Sequence, residues 1–276
     1  MAETLLEMLA QFANLPTETE ESPQLRARLL HQIGDIEELL HAAELESRLL
    51  AACALARLAP AQCLLSVIIE GLQSHDEAHR VFAAFACRCL GPRASSSGPA
   101  LIEVLETDDD EIVVNHVLRA MASIGVSAKA TPRLVELIRR AGPNALMVTN
   151  ADAINAAMAL GTVPDAREAP TILYDCLAFC DSGDDLLRTL ALESARAIWR
   201  IGGEVEAPLR VAKKLLDDED GTIKAHAADL LGELGVAARP ALANLQRLLG
   251  DESEYVRKHA REAMARIGTL RSEEEK

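Results

Sequence analysis

The residues with chemical potential in this chain are histidines, carboxylates and arginines that recur at fixed intervals. Nine residues before the markers Ala59, Gly91, Gly125, Gly161, Gly202, Gly235 and Gly268, the chain reads Leu50, Phe82, His116, Asp152, Glu193, His226 and His259. Six before, it reads Cys53, Phe85, Arg119, Asn155, Arg196, Asp229 and Glu262; two before, Arg57, Cys89, Ser123, Ala159, Arg200, Glu233 and Arg266. Offsets of three, four and seven place these columns on one face of a helix. Imidazoles beside carboxylates suit metal ligation or proton transfer. Packed helices lie about 8–10 Å apart, whereas a metal takes its ligands at about 2 Å. Five residues on five successive helices therefore cannot converge on an ion, though two or three adjacent ones are within reach.

Other chemical signals are sparse. His75 and His79 have the i, i+4 spacing of a two-ligand helix site, but Ser74 reads as a helix cap, which puts His75 in an exposed, acidic first turn. There is no glycine-rich phosphate loop, no His-Glu-x-x-His helix and no Gly-x-Ser-x-Gly elbow. No residue is assigned a catalytic, cofactor-binding or metal-ligating role. Trp199, the single tryptophan, lies between Arg196 and Arg200, a composition common in interaction hot spots. It serves equally to fill a gap in an irregular unit.

The elements that hold these columns form a repeat. The seven markers are spaced 32, 34, 36, 41, 33 and 33 residues apart, each preceded by Leu or Ile. Small or apolar residues four, five and eight before the marker form a stripe of helical period, as at Met264, Ala263 and Ala260. Seventeen before it stand Ser74, Asp108, Asn144, Asp185, Asp218 and Asp251, which read as N-caps. Glu77, Glu111 and Glu254 follow three residues later and complete capping boxes. Glycine at the marker suits a left-handed helix terminus. Each unit is thus helix, short acidic turn, helix.

This pattern resembles the HEAT repeat, in particular the short bacterial form of phycobilisome-lyase-type proteins. The matching residues are the first-helix prolines Pro99, Pro132, Pro170, Pro208 and Pro240, the turn aspartate, and Val256-Arg257 with its closing Ile267-Gly268. The resemblance runs from about Ile36 to Gly268, and the Val-Arg pair is lost at Thr149-Asn150 and Leu190-Ala191. It implies an all-α, right-handed α-solenoid of about seven helix pairs whose second helices line the concave side. HEAT-type deoxyhypusine hydroxylases use His-Glu dipeptides, which this sequence lacks.

Composition agrees with a helical array. Hydrophobic residues make up 49% and aromatics 3%, which favours close-packed helices over sheets. With 28 basic and 43 acidic residues the net charge is −15, which opposes binding to nucleic acid or to anionic membranes. The six cysteines, with no Cys-x-x-Cys, read as buried thiols in a reducing compartment, and no signal peptide or spanning segment is present, so a cytoplasmic location is expected.

Residues 1–35 are read as an N-terminal helical cap with an acidic linker (Leu15–Pro23), 36–268 as the repeat array and 269–276 as a charged tail. The unit Thr162–Gly202 is the longest, with surplus in Thr162–Ala169 and around Asp181–Asp185. The function expected is a non-catalytic scaffold or adaptor without a cofactor. It binds another protein on the concave face through Leu50, Phe82, Phe85, Arg119, Arg196, Trp199, Arg200, His226, His259 and Glu262, with self-association open. A bilin-lyase-type enzyme or accessory protein is the alternative, and a nucleic-acid-binding HEAT protein ranks below both.

Overall fold

The computed structural model describes residues 4–14, 21–59, 62–163 and 170–269. Residues 15–20 of the expected acidic linker, the surplus at 164–169 and nearly all of the charged tail lie outside these residues, while residues 21–23, expected as linker, open a helix. The chain divides into two compact units, Met1–Ala130 and Thr131–Lys276.

The first unit contains α1 (Leu5–Asn14), α2 (Glu21–His31), α3 (Ile33–Leu39), α4 (Leu45–Leu58), α5 (Leu65–Leu72), α6 (Glu77–Leu90), α7 (Gly98–Thr107) and α8 (Glu111–Ile124). The second contains α9 (Thr131–Arg139), α10 (Met147–Leu160), α11 (Thr171–Cys176), α12 (Asp185–Gly202), α13 (Glu206–Leu215), α14 (Gly221–Leu234), α15 (Leu242–Leu248) and α16 (Glu254–Thr269). Among the described residues every regular element is helical.

The seven pairs expected from the spacing are α3/α4, α5/α6 and α7/α8 in the first unit, and α9/α10, α11/α12, α13/α14 and α15/α16 in the second. Within each unit the second helix of a pair packs on the second helix of the next: α4 on α6 on α8, and α10 on α12 on α14 on α16. The small-residue stripe makes this approach possible. Ala225, Ala227 and Ala228 of α14, and Ala260 and Ala263 of α16, are fully buried. At Gly232 an added Cβ would stand 3.1 Å from the Ala263 Cα, so this glycine lets two backbones meet. Helix α1 packs on α4 in the same manner, burying Met8, Leu9 and Phe12, while the Arg57 guanidinium lies 4.0 Å above the Phe12 ring.

The turns inside each pair are built differently from the sequence expectation. The capping residues are Asp76, Asp110, Asp184 and Asp220, whose carboxylates accept from the first backbone N–H groups of α6, α8, α12 and α14. The expected caps Ser74, Asp108 and Asp218 sit two residues earlier. Each takes the backbone N–H of the true cap, at 3.1, 3.0 and 2.8 Å respectively. Asp251 accepts from Ser253 N at 2.9 Å in the same way. The motif is thus a side-chain turn that aims a second capping residue. The glutamates Glu77, Glu111 and Glu254 are the first residues of their helices, which rules out the expected capping boxes.

At three of the turns a basic side chain then ties one turn to the next. Arg80 donates to Ser74 O and His75 O (3.0 and 2.9 Å) and to Asp108 Oδ2 of the following pair (2.5 Å). Arg188 bonds Ser182 O at 2.9 Å and Asp218 Oδ2 at 2.7 Å, and Lys224 reaches Asp251 Oδ2 at 2.8 Å. The units with Leu190-Ala191 and Thr149-Asn150 have substitutes, whereas α8 has Val113-Val114 there and no basic residue. Helix α12 has 18 residues against 14 in α10 and α14, so its arginine stands about one turn earlier, at Arg188. In α10, Asn150, 1% exposed, takes over: its amide accepts from Gly142 N at 3.1 Å and donates to Gly142 O at 3.3 Å.

The helix ends differ: Gly91, Gly125 and Gly235 have positive φ with extended ψ (56° and −139°, 77° and 144°, 56° and −129°). Gly203, not Gly202, adopts the left-handed conformation after α12 (φ 67°, ψ 11°). Gly161 keeps a right-handed helical conformation after α10, and its value is space: a Cβ there would lie 3.1 Å from the Ala197 Cα.

Candidate functional site

Along the second helices of the second unit runs a groove of about 380 Å³. It is lined by Thr189, Glu193 and Arg196 of α12, by His226, Asp229 and Glu233 of α14, and by His259, Glu262 and Arg266 of α16, with Ile154 and Met158 of α10 at one side. Helical period places these side chains together: residues three and four apart on parallel-stacked helices form one polar strip.

The floor of the groove is an ion-pair network. Glu193 is only 3% exposed, and both of its oxygens take hydrogen bonds from Arg196 Nη1, at 2.6 and 2.8 Å. Arg196 Nη2 donates to the His226 carbonyl at 3.1 Å, which ties α12 to α14. Its Nε lies 3.1 Å from Glu233 Oε1, in ion-pair range but without hydrogen-bond alignment. Glu233 also takes Arg200 Nε and Nη2 on Oε2, at 3.1 and 2.9 Å. Between α14 and α16, His259 Nδ1 and Asp229 Oδ1 are 2.9 Å apart. The Tyr255 ring packs on the imidazole with centroids 4.4 Å apart. A strip held at this many points is rigid before any ligand arrives.

The corresponding face of the first unit has a different character. Phe82 and Phe85 of α6 are half-buried, and the Arg88 guanidinium lies 5.0 Å over the Phe85 ring. Arg119 of α8 is exposed. Burial, with the charges of Arg119 and Arg88, holds the His116 imidazole below its ordinary value. Arg119 is likewise depressed by burial and by Arg88. Leu50, 6% exposed, is buried in the core of α4 and so is not the surface contact expected of it.

The comparisons with known proteins bear on both units. Residues 208–275 match the family described as HEAT repeats. These HEAT repeats include Pro208 and Val256-Arg257. Residues 208–275 thus carry HEAT repeats. A helical-repeat fold extends over nearly the whole chain. It is similar to the complex of CpcE and CpcF of phycocyanin lyase from Nostoc sp. PCC7120, with a TM-score of 0.56 at 21% identity over 93% of this chain and 96% of that one. It is also similar to an engineered protein, with a TM-score of 0.50 at 20% identity over 94% of this chain and 72% of that one. No curated protein matches it.

Within this helical framework the predicted residues separate into groups. Arg196, His226, His259 and Glu262 converge on the groove, and Arg200 joins it through Glu233. Trp199 is half-buried and is not among the lining residues, while Phe82, Phe85, Arg119 and Leu50 belong to the first unit. Sequence reasoning missed Ile154, Met158 and Thr189. On α10 the column residue Asp152 is buried, and the neighbouring stripe through Ile154 and Met158 faces the groove instead. The spacing of four between Ile154 and Met158 was the available signal. The cysteines are also less uniform than expected: Cys53, Cys87 and Cys176 are buried and Cys63 is exposed. Burial pushes the Cys87 and Cys176 thiols up to about 11, so both are neutral and unreactive at physiological pH. No helix among the described residues is long and apolar enough to cross a membrane.

Proposed function

We propose that this HEAT-repeat chain is a non-catalytic scaffold or adaptor that binds a partner protein on the second-helix face, with the groove of the second unit as its principal contact. The observation that carries this reading is the network Glu193–Arg196–Glu233–Arg200, which fixes a mixed-charge strip across α12 and α14. Side chains already held by one another lose little freedom when a partner docks, which favours specific binding. Arg200 is 42% exposed at its side chain and so presents a guanidinium edge to a partner carboxylate or carbonyl. Trp199 beside it would give an aromatic contact.

Affinity capture tests this reading with wild type and the variant Arg196→Glu/Trp199→Ala/Arg200→Glu, matched for helicity by circular dichroism. Partners retained by the wild type and lost by the variant support it; identical partner sets with both baits refute it.

A second reading, a subunit or accessory of a bilin lyase, is favoured by one observation: the fold match to the phycocyanin lyase complex over 93% of this chain. A fold hosts many functions, so this match carries the architecture and no site. Transfer or release of a bilin on incubation with a phycobiliprotein would favour this second reading over the scaffold.

A further inference from the structure

Two neighbouring helices of the groove carry the same short pattern, a histidine followed three residues later by a carboxylate: His226–Asp229 on α14 and His259–Glu262 on α16. An i, i+3 pair lies on one helix face, and stacking α14 on α16 brings the two faces together. One ligand atom from each of Asp229, His259 and Glu262 falls within 4.8 Å of the other two. From this geometry we propose that Asp229, His259 and Glu262 form a binding site for one divalent transition-metal ion of borderline softness, with Zn²⁺ the best match.

The donor set selects the class of ion. One imidazole nitrogen with two carboxylates suits zinc and its first-row neighbours, whereas magnesium and calcium prefer oxygen alone. Ligand atoms about 2.0–2.2 Å from a common ion lie about 3–3.6 Å from one another, so side-chain rotations of about 1 Å complete the site. Asp229 and His259 are half-buried at the groove surface, where such rotations are open to them.

Electrostatics points the same way. Two carboxylates at this separation repel, and a dication relieves that repulsion. The other acids of the groove already have guanidinium partners: Glu193 has Arg196, and Glu233 has Arg200. The Glu262 carboxylate, by contrast, makes no hydrogen bond or ion pair with another described residue. Arg266, one turn further along α16, also lines the groove and bounds the site on one side. Tyr255 packed on His259 holds the ring plane, which preorganises the nitrogen donor. Three protein donors on an open groove leave further positions for water or for a group from a bound molecule, the arrangement of a site that is not closed off by protein.

The Asp229–His259 contact has a second physical reading, a plain hydrogen bond tying two repeats together, in which Glu262 has no role. Metal titration separates the two. The proposal does not rest on the scaffold reading, and the probe is the ion alone. Full-length chain freed of metal with a chelator is titrated calorimetrically with ZnCl₂ near neutral pH, with MgCl₂ and CaCl₂ as comparators. The expected result is one Zn²⁺ per chain, no heat from magnesium or calcium at the same concentrations, and affinity that falls with pH as protons compete for the ligands. H259Q and E262Q should each weaken zinc by about tenfold or more. The double variant H75A/H79A should bind like the wild type. Absence of zinc binding, binding unchanged in both H259Q and E262Q, binding lost in H75A/H79A, or equal binding of magnesium would each overturn the site.

Discussion

At Asn150 a single amide does the work that an arginine does in the regular units. It closes the turn before α10 with two hydrogen bonds to Gly142 from a position that is 1% exposed. Asn150→Ala removes both bonds and leaves the half-buried Gly142 N–H without this acceptor, while the Gly142 carbonyl keeps the Ala145 N–H at 3.0 Å. A loss of about 1–3 kcal/mol is expected, measured by urea unfolding of the purified protein. A loss below about 0.5 kcal/mol would mean that the turn does not depend on this amide. Asp251 illustrates the charged version. The Lys224 ammonium, then the Ser253 N–H, hold its carboxyl below the ordinary carboxylate value. A depressed folded-state value contributes stability that is present above the unfolded value of about 3.9 and is lost as pH falls through the folded one. Asp251→Asn should therefore lower Tm at neutral pH and flatten the decline of Tm on acidification, as thermal melts across that range would record. An unchanged acid slope would argue that the Lys224–Asp251 pair is solvated and contributes nothing. The residue scale is also where the sequence was hardest to read. In an Asp-x-Asp turn both residues are capping types, and only the backbone of the turn decides which one reaches the helix N–H groups. Asp108 and Asp110 show the outcome: the first aims, the second caps.

Between helices, the repeat was legible because its period is enforced by packing. The small-residue stripe exists so that α14 and α16 can approach closely, and its alanines and leucines recur with the helical period that any reader of the sequence can count. Gly232 is the sharpest instance, since a side chain there meets the Ala263 backbone and the Arg266 side chain. Gly232→Leu should cost about 1–3 kcal/mol through forced separation of the two helices. The accompanying test is a thermal melt against Gly268→Leu, whose position faces open space. Equal melting points for the two variants would show that α14 and α16 are not in close register. The groove columns were legible for the same reason on α12, α14 and α16, where the spacing from the glycine marker keeps Arg196, Asp229 and Glu262 level. On α10 the column fails: Asp152 turns inward and Met158 outward, a rotation that residue types alone do not encode.

Across the whole molecule, in a chain with net charge −15, the arginines on the second helices have different neighbours in the two units. In the first unit those arginines neighbour one another and half-buried phenylalanines; in the second they are paired with carboxylates into a fixed strip. The two units therefore offer different chemistries to a partner, apolar-cationic in one and mixed-charge in the other. The architecture was accessible from sequence because a repeat displays its design seven times. The partner was not, because a binding face is defined by what it complements, and that lies in another molecule. The most direct test of the working surface is site-specific photo-crosslinking in cells. A benzoyl-phenylalanine placed at Arg200, on the groove side of α12, is compared with one at Arg210, exposed on the first helix α13. Discrete crosslinked partner bands from position 200 and none from position 210 are the result this account predicts. Bands from position 210 alone would contradict it and move the working surface to the first helices.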